Sequence, residues 1–182
     1  MLRKFFNFLL YRLLGWRLEG ELPREQKKLL MVFLPHTSNW DFFIGLMFMI
    51  AEGVQIRIFA KDQFYFFPLT YCYKALNIVP IKRDESTNFV QQAAQSYASR
   101  DELWSIITPE GTRSRVQQLR SGYYYLAKEA NVPILLIGPD FKNKKFVIGP
   151  FRHVEDSFEA DVVLLHEFSK SMHGKNENLA IN

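Results

Sequence analysis

The chain opens with apolar residues at Leu2, Phe5, Phe6, Leu9, Leu10, Leu13 and Trp16, the i, i+3, i+4, i+7 spacing of one helical face. That spacing predicts an amphipathic helix over residues 1–17. Arg3 and Arg12 flank the face and Lys4 lies opposite, so their stems can run along apolar surface while the charges reach lipid phosphates. Phe8 and Tyr11 widen the apolar surface. Two uses fit this pattern: packing on the domain's own core, or lying on a membrane.

After a polar stretch, Leu29–Leu34 reads as a short buried strand ended by Pro35. Phe42–Ala51 is too long and too unbranched for a strand and follows Ser38 and Asn39, good N-cap residues, so it reads as a buried helix. Val54–Ala60 and Ile78–Ile81 read as strands, and Ser86–Arg100 as a helix with Phe89, Val90, Ala93, Ala94 and Tyr97 at helical spacing. Leu103–Ile107 is a further strand and Leu119–Ala130 a further helix. Val132–Ile137 and Lys145–Phe151 pair antiparallel through a turn at residues 142–144. Strand followed by helix, repeated, with one late hairpin, predicts an α/β fold. The expected architecture is a single domain on a mixed, mostly parallel sheet flanked by helices and preceded by the N-terminal helix. Residues 174–182 are expected to fray.

At 182 residues the chain suits one core. A formal charge of +4 suits an anionic partner, either nucleic acid or the anionic face of a membrane. The basic residues are spread out and no recognition motif is present, so nucleic-acid binding is discounted. No apolar stretch reaches the roughly 18 residues of a membrane span. Arg12 also interrupts the signal-peptide-like start, with no small-residue cleavage site after it, so this segment reads as retained. One cysteine, Cys72, excludes an internal disulfide and a cysteine metal cage. The aromatic stretch around Phe64–Tyr73 can be core or the wall of an acyl-chain site.

Three clusters carry the candidate chemistry. His36 and Asp41 lie between a strand and a helix, where α/β sheets place binding sites. Residues five apart on a regular helix point about 140° from each other, so the loop must bend the pair together. The carboxylate can then fix the imidazole tautomer and leave the other nitrogen as a base. The alternative is a packed histidine and an aspartate that caps the helix. No metal set is expected, since His153, His166 and His173 lack convincing ligand spacing.

At the end of another strand, Gly111 permits positive φ and Arg113 offers a planar fork for phosphate, with Thr108, Pro109, Glu110, Thr112 and Ser114 around them. Glu110 can hold the loop, hold Arg113, or accept from a substrate hydroxyl. An ordinary turn with a solvated arginine is the other reading. Arg83, closing a third strand, can grip the same phosphate or be a solvated strand exit. Val132, Pro133 and Ile134 read as scaffold. No Gly-x-Ser-x-Gly elbow is present, which disfavours a serine esterase.

In this order the blocks resemble the glycerophospholipid acyltransferase family, which includes the 1-acylglycerol-3-phosphate (lysophosphatidate) acyltransferases. His36 and Asp41 fall on its His, four residues, Asp motif, and Arg83 on its arginine-ended second motif. Glu110, Gly111, Thr112 and Arg113 fall on its Glu-Gly-Thr-Arg motif, and Val132, Pro133 and Ile134 on its proline-bearing fourth block. Pro80 departs from the aromatic or aliphatic residue usual three before the second motif's arginine. The resemblance implies an acyltransferase domain over residues 22–173, with no cofactor and with acyl-CoA or acyl-carrier protein as donor substrate. The implied acceptor is a lysophospholipid, 1-acylglycerol-3-phosphate first among them, as in phospholipid biosynthesis. It implies His36 as base supported by Asp41, with Arg83, Glu110, Gly111, Thr112 and Arg113 binding the acceptor. The partner would be a membrane lipid surface, with the protein peripheral on the cytoplasmic side. A noncatalytic module binding anionic headgroups, or transfer to another acceptor, are the competing expectations.

Overall fold

Leu29–Leu34 and Val132–Ile137 carry no polar side chain on either face, a pattern stable only where both sides of a strand are covered. The computed structural model describes residues 1–61, 78–81 and 86–179 and places both runs in the middle of one sheet. In chain order the strands are β1 (Arg17–Glu19), β2 (Lys28–Phe33), β3 (Ile56–Lys61), β4 (Ile78–Ile81), β5 (Leu103–Ile107), β6 (Ile134–Asp140) and β7 (Lys145–Arg152). The helices are α1 (Leu2–Asn7), α2 (Trp40–Glu52), α3 (Ser86–Ala98), α4 (Gly122–Ala130) and α5 (Phe158–Lys170). Sheet order among the described residues is β1-β7-β6-β2-β5-β3-β4, and only β6 and β7 run antiparallel. The fold is the α/β domain expected, with its mostly parallel sheet and its N-terminal helix.

The two-residue period of a strand sorts the core into two halves. Leu30, Val32 and Leu34, with Ile134 and Leu136, meet Tyr97 of α3, Leu126 of α4 and Leu165 of α5. Leu29, Met31 and Phe33, with Leu135 and Ile137, meet Ile44 and Phe48 of α2 and Leu10 and Trp16 of the N-terminal segment. Each such side chain contributes about 1.5–3 kcal/mol on burial. Two buried tyrosine hydroxyls are bonded: that of Tyr97 donates to the Leu29 carbonyl at 2.8 Å, and that of Tyr123 to Asp161 Oδ2 at 2.7 Å.

The N-terminal apolar face divides in two. After α1 the chain continues as a π-helical stretch, Phe8–Leu13, whose wider turn rotates the expected stripe. Leu10 and Trp16 are buried, while Leu2, Phe5, Phe8 and Leu13 are each more than half exposed. Arg3 Nε donates to the Ala51 carbonyl at 3.2 Å and the Tyr11 hydroxyl to Glu52 Oε1 at 2.6 Å, fixing the segment to the C-terminal end of α2. Among the described residues no helix is long and apolar enough to cross a membrane.

Two elements have no counterpart in the sequence reading. β1 is only three residues long, too short for a periodic signal, and it pairs parallel with β7. α5 has a local signal in its sequence: Ser157 as N-cap, accepting from the Ala160 N–H, with Glu159 and Asp161 in the first turn. α4 begins later than the expected Leu119, because the Arg120 N–H donates to the Pro109 carbonyl at 2.8 Å and ties that stretch to the loop after β5.

Candidate active site

β2 lies beside β5 in parallel register, Val32 opposite Ile107, so both chains leave the sheet at the same edge. His36 follows β2 and Glu110 follows β5, and the register brings the two loops together although 74 residues separate them. The His36 N–H points between both Glu110 carboxylate oxygens, 3.1 Å from each. Glu110 is buried, and burial pushes its carboxyl up to about 7; the His36 N–H pulls it down and the Asp41 charge pushes it up again.

After Pro35 the chain crosses the sheet edge and enters α2, with Asp41 in the first helical turn. Asp41 is buried and the donors around it gather on one carboxylate oxygen, Oδ2, while Oδ1 is buried without a hydrogen-bond partner among the described residues. Its Oδ2 accepts from the Thr37 N–H at 2.8 Å, the Ser38 N–H at 2.9 Å and the His36 ring at 3.0 Å through Nδ1. An ionised carboxylate can only accept, so Nδ1 carries the proton and Nε2 is the free base nitrogen. The His36 side chain keeps about a fifth of its surface exposed, and its ring edge meets Phe33 with centroids 5.9 Å apart. The pair the sequence pattern points to is therefore in bonding contact.

A cavity of about 1500 Å³ opens beside this loop. His36, Asp41, Gly111 and Arg120 stand in its wall with apolar side chains that include Leu46, Met49 and Ile58. Such a lining suits a ligand with one polar end and a long apolar body.

The loop after β5 is a tight turn: the Gly111 N–H donates to the Thr108 carbonyl at 3.0 Å and Gly111 has φ +65°. A Cβ at Gly111 would stand 2.8 Å from Arg120 Nε, so the glycine leaves room for that guanidinium. Thr112 Oγ1 accepts from the Ser114 N–H at 3.2 Å. Arg113 is exposed and donates through Nη1 to Asn39 Oδ1, linking this loop to the one that carries His36. Arg113 is not among the cavity's wall residues, whereas Arg120 is. Arg83 lies outside the described residues, as does the aromatic stretch at 64–73. β4, which precedes Arg83, ends at the same sheet edge as β5 because β4, β3 and β5 are mutually parallel.

Two residues of this neighbourhood were missed from sequence. Arg120 had a readable cue, a basic residue directly before a helix N-cap at Ser121. Asn176 had none; it lies in the stretch expected to fray, yet its side chain reaches Thr37.

The molecule resembles a solved structure in fold. The 1-acyl-sn-glycerophosphate (LPA) acyltransferase PlsC from Thermotoga maritima matches with a TM-score of 0.64 over 93% of this chain and 76% of that one, at 16% sequence identity. At that identity the likeness is one of fold. No curated protein matches the chain in sequence. The family model described as Acyltransferase matches residues 16–138, more than half of the chain, and the protein accordingly belongs to the acyltransferase family.

Proposed function

We propose that the protein transfers a fatty acyl group from acyl-CoA or acyl-carrier protein to the hydroxyl of a lysophospholipid, with 1-acylglycerol-3-phosphate the leading acceptor. The observation that carries this reading is the His36 Nδ1 to Asp41 Oδ2 bond of 3.0 Å in the wall of a largely apolar cavity. His36 Nε2 takes the hydroxyl proton as the oxygen attacks the thioester carbonyl, and Asp41 stabilises the imidazolium that forms. The tetrahedral intermediate collapses with cleavage of the C–S bond, and the proton passes from His36 to the departing thiolate. An ester and a free thiol result.

In this reading Arg83, Gly111, Thr112 and Arg113 serve the acceptor's phosphate and glycerol. Glu110, with its carboxylate on the His36 N–H, holds the loop that carries the base. The exposed Leu2, Phe5, Phe8 and Leu13 of the N-terminal segment, and Trp40 and Phe43 at the start of α2, are surfaces that would rest in a lipid interface, where a lysophospholipid is found.

The test is purified protein with labelled acyl-CoA and a panel of lysolipids with and without phosphate. Product is expected with phosphate-bearing acceptors and none from His36→Ala, whose circular dichroism should match the wild type. Transfer by His36→Ala at the wild-type rate removes the imidazole as base, and preference for phosphate-free acceptors removes the arginines' assignment.

A further inference from the structure

The His36 loop is held on two sides, and the second side is built from the end of the chain. On the inner side Glu110 accepts the His36 N–H. On the outer side, after α5, Met172 lies so close to Gly138 of β6 that a Cβ there would stand 2.8 Å from its Cε. The His173 carbonyl accepts from the Phe141 N–H at 2.9 Å. Gly174 then lies directly on Thr37, since a Cβ at 174 would come 2.7 Å from Thr37 Oγ1.

Asn176 closes this bracket. Its backbone N–H donates to Thr37 Oγ1 at 3.2 Å and its carboxamide Nδ2 donates to the Thr37 carbonyl at 2.9 Å. Thr37 is 1% exposed, and its own N–H donates inward to Asp41 Oδ2 at 2.8 Å. Every polar group of Thr37 is thus engaged, with the carboxylate that orients His36 on one side and Asn176 on the other. The last bond to the sheet is made by Leu34, whose N–H donates to the Ile137 carbonyl at 3.1 Å; beyond it the loop is held by Glu110 at His36, by Asn176 at Thr37 and by Arg113 at Asn39.

We propose that Asn176 is a positioning residue for the base: by fixing the Thr37 peptide it sets the distance and angle between His36 and Asp41. The proposal rests on the reading of His36 as the base given above. Its physical warrant is the sensitivity of proton transfer to geometry, where a displacement of about 1 Å can cost about 10²-fold in rate. Asn176 is not among the cavity's wall residues and both of its hydrogen bonds to this loop go to Thr37, so it acts through Thr37.

The experiment compares the wild-type protein with Asn176→Ala, Asn176→Asp and Asn176→Gln. Asn176→Asp keeps the backbone donor and sets an acceptor against the Thr37 carbonyl; Asn176→Gln keeps an amide donor. The alanine and aspartate variants should lose kcat by about 10- to 100-fold with KM for donor and acceptor changed less than about twofold. Glutamine should recover part of the loss. Amide hydrogen exchange should quicken in residues 36–41 and nowhere in the sheet. Should the alanine variant fail to fold, the aspartate and glutamine pair carries the comparison. Wild-type kcat in the aspartate variant overturns the proposal, and so does exchange that rises throughout the sheet. Full activity in His36→Ala would instead sink the catalytic reading, and exchange at residues 36–41 would still report whether Asn176 holds the loop.

Discussion

Replacing Asp41 by asparagine tests the charge at the site while sparing its shape. The asparagine side chain is isosteric and its carbonyl oxygen can take the Oδ2 position, accepting from the Thr37 and Ser38 N–H groups at 2.8 and 2.9 Å as before. The negative charge 3.0 Å from His36 Nδ1 is what disappears. Opposite unit charges at that distance attract by about 5 kcal/mol at an effective dielectric of about 20. The imidazolium exists only once the acceptor proton has moved, so this attraction favours the transition state over the resting enzyme. Its loss should lower kcat by about 10³- to 10⁴-fold. The assay is single-turnover transfer from labelled acyl-CoA at saturating acceptor, with unfolding by urea as the control for stability. A kcat within about tenfold of wild type in a folded Asp41→Asn variant would refute the charge argument. A large loss accompanied by unfolding would instead mark the carboxylate as a capping group of α2.

Other outcomes are expected from the same geometry. The Glu110 carboxyl titrates at about 7 in the folded chain against 4.5 unperturbed, so the folded state holds its proton more tightly. That stabilisation is complete below 4.5 and is lost as pH rises through 7, by roughly 3 kcal/mol in all. Glu110→Gln does not titrate, so its stability relative to wild type should climb by about 2 kcal/mol between pH ~5 and ~8 in urea unfolding; a difference independent of pH contradicts the burial argument. Gly111→Ala places a Cβ 2.8 Å from Arg120 Nε at φ +65°, and urea titration should record a loss of about 1–2 kcal/mol. Serine at Phe5, Phe8 and Leu13 together, all more than half exposed, should leave each site's stability within about 0.5 kcal/mol yet reduce sedimentation with anionic vesicles. Unchanged sedimentation would count against this face as the lipid contact.

What could be read without coordinates was local. The unbroken apolar runs at Leu29–Leu34 and Val132–Ile137 announce strands covered on both sides, and the run from Phe42 to Ala51 after Ser38 and Asn39 announces a helix, because side-chain period and capping chemistry act within a few residues. The spacing of His36 and Asp41 likewise places both where one loop and one helical turn can join them. Glu110 offered three readings from sequence, holding its own loop, holding Arg113 or accepting from a substrate hydroxyl; its carboxylate instead meets the His36 N–H of the neighbouring loop, a contact that only the pairing of β2 with β5 creates.

Sequence by itself determined the kinds and order of the elements other than β1 and α5, and the residue types at the strand ends. Tertiary structure decided which strand ends became neighbours. The pairing of β2 with β5, Val32 opposite Ile107, set Glu110 beneath His36, and the return of the chain after α5 set Asn176 against Thr37. It also decided that a π-helical turn would divide the N-terminal face into buried Leu10 and exposed Leu13. Periodicity and capping are fixed by bonds a few residues long. Strand order and the docking of the chain's end follow from burying the whole apolar surface at once, a property that no single segment carries.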